Sequence, residues 1–318
     1  MQCIVLGAGV SGLTTAVCLL RAGWRVRVVA ERHSPHTTSD VPAAFFFPYG
    51  TARDPATLGW VRASHRVFAR LARDDATGVR ARPATAVGDP SDVGWWLPPT
   101  DRRPAPGGAR AAIAFTSFVI DMRRYMPWLR RTVAALGGRF ETRQVARLAD
   151  LDAPVVVCCA GLGARTLAGD PSVRPVRGQI LRVTDPGLSE VVVDESDPTA
   201  PTYVVPRGDD CIVGGTFEPG RTDLSPDPEA RAAVLARARR LVPRLCGAHF
   251  LEDRVGLRPG RPAVRVAVTR EPATGRTIAF DYGHGGAGVT LSWGCALALR
   301  RQLARGRPTA TGQMRVPP

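Results

Sequence analysis

An α/β fold, with a second β-rich domain inserted into the first, is predicted by three observations. A short apolar strand, "QCIVL", runs from residue 2 to residue 6 into the string Gly7-Ala8-Gly9-Val10-Ser11-Gly12. An apolar run at helical spacing and a second, alternating strand follow, so the chain opens as a β-α-β unit. The middle then changes character: "GQILRV", "EVVVDE", "TYVVPR" and "DCIVGGTF" are short β-rich runs separated by turn residues, as in an antiparallel or mixed sheet.

The remaining elements follow in order. "SGLTTAVCLLRAGW" (Ser11–Trp24) reads as a helix that stops near Gly23, and "RVRVVAE" (Arg25–Glu31) as the second strand. Residues 51–110 are rich in Pro, Arg, Gly and Asp; a helix is expected over "PATLGWVRASHRVFARLA", with loop-like segments after it. Ser117–Gly138 holds another helix, Arg139–Leu148 a strand, and Ala153–Ala164 a buried strand closing on small residues. Asp227–Val242 reads as one amphipathic helix. "LRPGRPAVRVAVTR" and "RTIAFDYG" return to strands before a last helix at "SWGCALALRRQLARG". Pieces of the first domain thus occur at both ends and in the middle, so the domains are discontinuous.

Composition excludes more than it assigns. The 318 residues carry a net charge of +15, yet every basic side chain other than histidine is arginine, spread along the chain rather than gathered in a stripe. That pattern favours solvated surface charge over a nucleic-acid footprint. No stretch approaches the roughly 18 apolar residues of a membrane span. The start enters a strand without the features of a signal peptide, and the C-terminal "QMRVPP" lacks a Ser-Lys-Leu-type address, so a cytoplasmic location is expected. The seven cysteines sit mostly in apolar runs such as "VVVCCAG", as small hydrophobes, and no C-x-x-C or Cys/His cluster suggests a metal.

Gly7, Gly9 and Gly12 form a Gly-x-Gly-x-x-Gly fingerprint in the required context, after a strand and opening a helix. The first glycine permits the tight turn, the second lets the backbone approach a pyrophosphate, and the third packs helix on strand. Glu31 ends the second strand about 20 residues on, where a ribose-binding carboxylate belongs. The motif leaves FAD and NAD open. A second glycine-rich string, "DYGHGGAGVTLSWGCA" (Asp281–Ala296), stands at the far end of the chain.

"ERHSPHTTSDVPAAFFFPYG" (Glu31–Gly50) resembles the corresponding stretch of the FAD-dependent D-amino-acid oxidases, in which a Thr-Thr-x-Asp-Val-Ala-Ala string contacts the flavin. "VVVCCAGLGAR", "RPVRGQI" (Arg174–Ile180), "YVVP" (Tyr203–Pro206), "GLRPGRP" (Gly256–Pro262) and "YGHGGAGVTLSWGCA" (Tyr282–Ala296) resemble further blocks of that family in the same order. The resemblance implies a Rossmann-like FAD-binding domain over residues 1–50, 110–178 and 265–318, and a substrate domain over 51–109 and 179–264. It implies non-covalent FAD held by Gly7, Gly9, Val10, Ser11, Gly12, Glu31, Arg32, Thr37, Thr38, Ser39, Ala43, Ala44, Val145 and Gly161. From the second string, Gly285, Gly286, Gly288, Val289 and Thr290 would offer backbone N–H groups to the flavin.

The resemblance also implies a substrate site and a reaction. Arg258 matches the family's carboxylate-binding arginine and Tyr203 its tyrosine partner, with the Gly286 carbonyl facing the substrate amine. Arg207, beside the "YVVP" strand, is the second arginine to weigh for the carboxylate. Thr199 stands where animal members carry a lid tyrosine, which opens the entrance; Phe47 stands where they place a glutamine, which makes the wall more apolar. Tyr49 replaces the histidine of the D-aspartate oxidases, which favours neutral substrates. No residue is expected to act as acid or base, and His284 is expected to shape the cofactor site. The implied activity is oxidation of neutral D-amino acids to 2-oxo acids, ammonia and hydrogen peroxide, by hydride transfer to flavin and reoxidation by O2. A homodimer is compatible with it. The alternatives are a related flavin amine oxidase acting on glycine, sarcosine, D-aspartate or a specialised biosynthetic amine, and a basic nucleic-acid-binding protein with a vestigial nucleotide fold.

Overall fold

The computed structural model describes residues 1–89, 91, 94–97, 103–104, 112–272 and 274–305; the C-terminal "QMRVPP" lies outside the described residues. Two sheets organise it. The first contains β1 (Gln2–Leu6), β2 (Arg25–Ala30), β6 (Arg139–Thr142), β7 (Val155–Cys158), β14 (Arg265–Arg270) and β15 (Thr277–Tyr282). Their order is β14-β15-β7-β1-β2-β6, parallel throughout except for the antiparallel β14–β15 pair. Cys3 to Leu6 of β1 are all buried, as expected of a central parallel strand covered on both faces.

Helix α1 (Val10–Leu20) follows β1 directly and packs against the last helix, α6 (Gly288–Arg305). α1 ends at Leu20, earlier than the apolar run suggests, and the chain turns through Gly23 at φ 81°. α2 (Pro55–Leu71) begins where Asp54 accepts from the N–H groups of Ala56 and Thr57, with proline at the first turn. α2 also packs on α6, so closely that a Cβ on Gly294 would overlap the Trp60 carbonyl. The Gly294 N–H donates to Ser64 Oγ at 2.8 Å, and Trp293 Nε1 donates to the Tyr125 hydroxyl of α3 (Met122–Ala135) at 2.7 Å. The "WGCA" block is therefore a helix-packing device.

Among the described residues the second sheet has nine strands: β3 (Val79–Val87), β4 (Arg103–Pro104), β5 (Ala112–Ile120), β8 (Arg174–Val183), β9 (Val191–Asp194), β10 (Thr202–Pro206), β11 (Cys211–Gly214), β12 (Glu218–Pro219) and β13 (Phe250–Gly260). It is mixed, because β3 runs parallel to β9 while the other pairs are antiparallel. Short α4 (Ala164–Leu167) follows the first sheet's β7, and α5 (Pro228–Leu241), capped by Asp227, packs on β8, β10 and β11. Three segments differ from the sequence expectation. Val79–Val87, expected as loop, is a strand whose alternation is broken by Arg80, Ala81 and Pro83, all exposed. Ala112–Ile120 pairs with it rather than with the first sheet, and α3 starts only after Asp121 caps it. Residues 174–178 likewise belong to β8 of the second sheet.

Candidate active site

A cavity of about 970 Å³ lies between the two sheets and is lined by residues from both ends of the chain. Gly7, at φ 116°, turns β1 into α1 so tightly that a Cβ there would overlap the Cys159 carbonyl. Gly9 is the N-cap of α1, with Ser39 Oγ where a Cβ would come within 3.1 Å. Gly12 does not line the cavity: its missing Cβ lets the helix sit against the Gly7 carbonyl, which is the packing role of the third glycine. Val10 and Ser11 face the cavity, and the Val10 N–H donates to Ser39 Oγ at 2.9 Å.

The segment after β2 forms the next wall. Glu31, Arg32, Thr37, Thr38 and Ser39 all line it, as do Ala43 and Ala44. Buried Asp40 shapes this stretch by accepting from the Thr37 N–H and hydroxyl at 2.9 and 2.6 Å and from the Ser34 hydroxyl at 2.5 Å. Val145 and Gly161 complete the lining from the first sheet's side.

The far-end glycine string reaches the same cavity. Gly285, Gly286, Gly288, Val289 and Thr290 line it, and Gly285 sits at φ 54°. The Thr290 hydroxyl is committed to Phe47, donating to its carbonyl at 2.9 Å and accepting from its N–H at 3.2 Å. Asp281 joins the two strings. Fully buried, it accepts from Thr15 Oγ1 at 3.0 Å and Ser11 Oγ at 3.2 Å of α1, while its other oxygen lies 3.0 Å from His284 Nε2. His284 is thus engaged by a neighbouring carboxylate. Cys295 completes a buried group with Asp281 and His284 whose ligand atoms lie within 4.8 Å of one another. Its carboxylate is already spent on these hydrogen bonds.

The nine-stranded sheet supplies the other wall through β13, β8, β11 and β10, which lie side by side. Arg258 on β13 reaches across β8, where a Cβ on Gly178 would overlap its guanidinium. Tyr203 on β10 reaches across β11, where a Cβ on Gly214 would overlap its ring. Two glycines therefore form the floor on which the arginine and the tyrosine meet. Arg258 Nη1 donates to the carbonyls of Arg177 (3.2 Å) and Thr216 (3.1 Å), which fixes the fork. No carboxylate among the described residues lies within ion-pair distance of it. Burial pushes the Tyr203 hydroxyl up from its usual range, opposed by the Arg258 charge beside it. Burial pushes Tyr49 up likewise; its ring lies over Gly286 where a Cβ would clash.

The other expectations find their places. Phe47 lines the cavity in an aromatic wall with Phe45, whose ring also meets Tyr203 (centroids 5.8 Å apart in both pairs). Arg207 does not line it and is buried against Asp210, with Nε to Oδ1 at 2.6 Å. Thr199 does not line it either; its N–H and hydroxyl turn back on Asp197. Two further lining residues have no signature in the sequence: Asp281, whose part depends on burial, and Glu195, just past the end of β9.

Two helix N-termini, α1 and α6, therefore open on one cavity, neither with an acidic residue in its first turn. Such a pair suits an extended anionic cofactor. Comparison with known proteins defines the class: the chain belongs to the FAD dependent oxidoreductase family, whose model matches residues 2–302. It is 43% identical over 309 residues to a D-amino-acid oxidase of Rubrobacter xylanophilus, covering 93% of each chain. To a D-amino-acid oxidase of Streptomyces coelicolor it is 41% identical over 310 residues, covering 94% of this chain and 96% of the other. The structure of glycine oxidase from Geobacillus kaustophilus shares the fold, with a TM-score of 0.79 at 19% identity over 98% of this chain and 96% of that one. FAD is the cofactor, and the residues fit it: backbone N–H groups and glycine turns at both helix N-termini, and Glu31 at the end of β2.

Proposed function

We propose that the protein oxidises neutral D-amino acids to 2-oxo acids, with release of ammonia and hydrogen peroxide. The observation that carries this reading is Arg258, held rigidly at the cavity by two backbone carbonyls, beside Tyr203, with no carboxylate of the described chain to neutralise it. A planar fork so placed suits a substrate carboxylate. Bound FAD supplies the hydride acceptor, and O2 takes the electron pair on to peroxide. The chain's residues bind and orient. Arg258 and the Tyr203 hydroxyl hold the carboxylate, and the Gly286 carbonyl accepts from the amine. With both groups fixed, only one enantiomer presents its α-hydrogen to the cofactor side, which we assign as the D form.

The substrate loses two hydrogens, its α-hydrogen and one from nitrogen, and the imino acid is hydrolysed to the 2-oxo acid and ammonia. His284, engaged by Asp281, holds the glycine string in shape and takes no part as a base. The Phe45, Phe47 and Tyr49 wall favours neutral side chains over acidic ones. We place the enzyme in the cytoplasm; no helix among the described residues is long and apolar enough to cross a membrane. A homodimer is the assembly to test by light scattering.

The competing reading, a related amine oxidase acting on glycine, sarcosine or a biosynthetic amine, is favoured by one observation. Thr199 itself turns back on Asp197 instead of lending its side chain to the cavity. A substrate panel with peroxide detection tests both. Activity on D-methionine and D-alanine, with their L forms inert, is expected. Comparable peroxide from the L forms overturns the assignment, glycine or sarcosine as the best substrate selects the competing reading, and a preference for D-aspartate overturns the inference from Tyr49.

A further inference from the structure

Glu195 stands apart among the acids of this arginine-rich chain. Other carboxylates are bridged: Glu218 by Arg177 and Arg221, Asp253 by Arg231, Asp170 by Arg261. The Glu195 carboxylate lines the cavity, and among the described residues no hydrogen bond or ion pair engages it. It lies near enough to Tyr49 and Tyr203 for its charge to act on both hydroxyls, and Arg258 acts on the same two from the opposite sign. Yet Glu195 and Arg258 form no ion pair. The two tyrosines thus carry an unpaired cation at one place in the cavity and an unpaired anion at another. A half-buried acid at a cavity wall with no partner of its own is open to a ligand's charge.

We propose that Glu195 is the residue that selects the charge of the substrate side chain, favouring D-amino acids with a cationic terminus and disfavouring acidic ones. The proposal rests on the reading above, in which Arg258 takes the α-carboxylate. A lysine- or arginine-like side chain has the matching anatomy: an apolar stem to lie along the aromatic wall and a charged tip to meet the carboxylate. An acidic side chain in the same place meets a like charge.

The test uses isosteric pairs and the FAD-loaded enzyme at about pH 8.5, where the Glu195 carboxyl is ionised. kcat/KM is measured for D-lysine against D-norleucine, which differ in the terminal cation, and for D-glutamate against D-glutamine. The wild type is expected to take D-lysine at least as well as D-norleucine, and D-glutamate at least tenfold less well than D-glutamine. In Glu195→Gln, which removes charge while keeping shape, the first ratio should fall at least tenfold and the second rise by a similar factor. Glu195→Ala should move both ratios the same way, and is read alone if the Gln variant does not fold. Ratios that move less than threefold, with D-norleucine still oxidised, overturn this proposal and leave the reading of the site intact. Failure of the wild type to oxidise any D-amino acid overturns both.

Discussion

Arg258 owes its place to residues that carry no side chain. Gly178 leaves room for the guanidinium, and the carbonyls of Arg177 and Thr216 aim it. Arg258→Met removes the charged fork from a partly dry site, a loss on the order of 2–5 kcal/mol by analogy with buried interfacial charge pairs. That is roughly 30- to several-thousand-fold in kcat/KM, with much of it in KM, because the carboxylate is held in ground and transition states alike. Arg258→Lys should recover only part, since a point charge cannot span both oxygens. Steady-state kinetics on colour-matched protein checks this; a Met variant with near-normal kcat/KM removes Arg258 from the site. Glu195 makes a second prediction. Burial, with Asp194 adding to it, pushes its carboxyl up to about 7 from an ordinary 4.5. Folding therefore favours the protonated acid, and that stability is fully present below about 4.5 and lost as pH rises through about 7. Glu195→Gln should melt within a degree or so of wild type at pH 5, and above it at pH 8; a gain independent of pH would show that the carboxyl titrates normally. Arg258 was legible because its block is contiguous in sequence. Glu195 was not, because in "VVVDESDP" it reads as a solvated charge in a turn, and only the fold shows it lining a cavity without a partner.

At the level of elements, the two glycine strings work as one unit because α1 and α6 share a buried acid. Asp281, at the end of β15, accepts from Thr15 and Ser11 on α1 and engages His284 at the approach to α6. Asp281→Ala leaves the buried Thr15 hydroxyl, the half-buried Ser11 hydroxyl and the buried His284 imidazole without that partner, at about 1–3 kcal/mol for each buried group left unsatisfied. The loss should appear first as FAD that dialyses away and a lowered melting midpoint, rather than as an altered substrate profile. An Asp281→Ala protein that stays fully yellow through dialysis would mean the strings are held together by packing alone. The first string was readable because its meaning is local: strand, tight turn, helix and acid occur within one stretch. Val79–Val87 was not, because arginine and proline interrupt its alternation and its partners, β5 and β9, come from distant parts of the chain. The "WGCA" block was recognised by resemblance, but its work is to bring α6 against α2 and α3, which spacing does not reveal.

Over the whole molecule, the two glycine strings adjoin strands of the first sheet while Arg258 and Tyr203 belong to the second, so the cavity exists only when both are assembled. Part of the arginine charge is paired within this assembly, as in Arg207–Asp210 and Arg261–Asp170. A cofactor bridging both sheets should stabilise them together. FAD binds only the folded chain, so free FAD at 100 times its Kd contributes about 2.7 kcal/mol. Taking a few degrees per kcal/mol for a chain of this size, stripping FAD should lower the melting midpoint on the order of 5–10 °C, and adding it back should restore the loss. The attachment should be reversible in the chemical sense too. Cys159, the thiol that lines the cavity, is held protonated by burial, which pushes it well above the ordinary thiol range. His284 is engaged by Asp281. A protonated thiol is a poor nucleophile toward the flavin ring. Acid precipitation should therefore leave a colourless pellet and all the yellow absorbance in the supernatant. Flavin absorbance retained on the washed polypeptide would show a covalent bond, and peptide mapping of the yellow fragment would then name the residue that makes it.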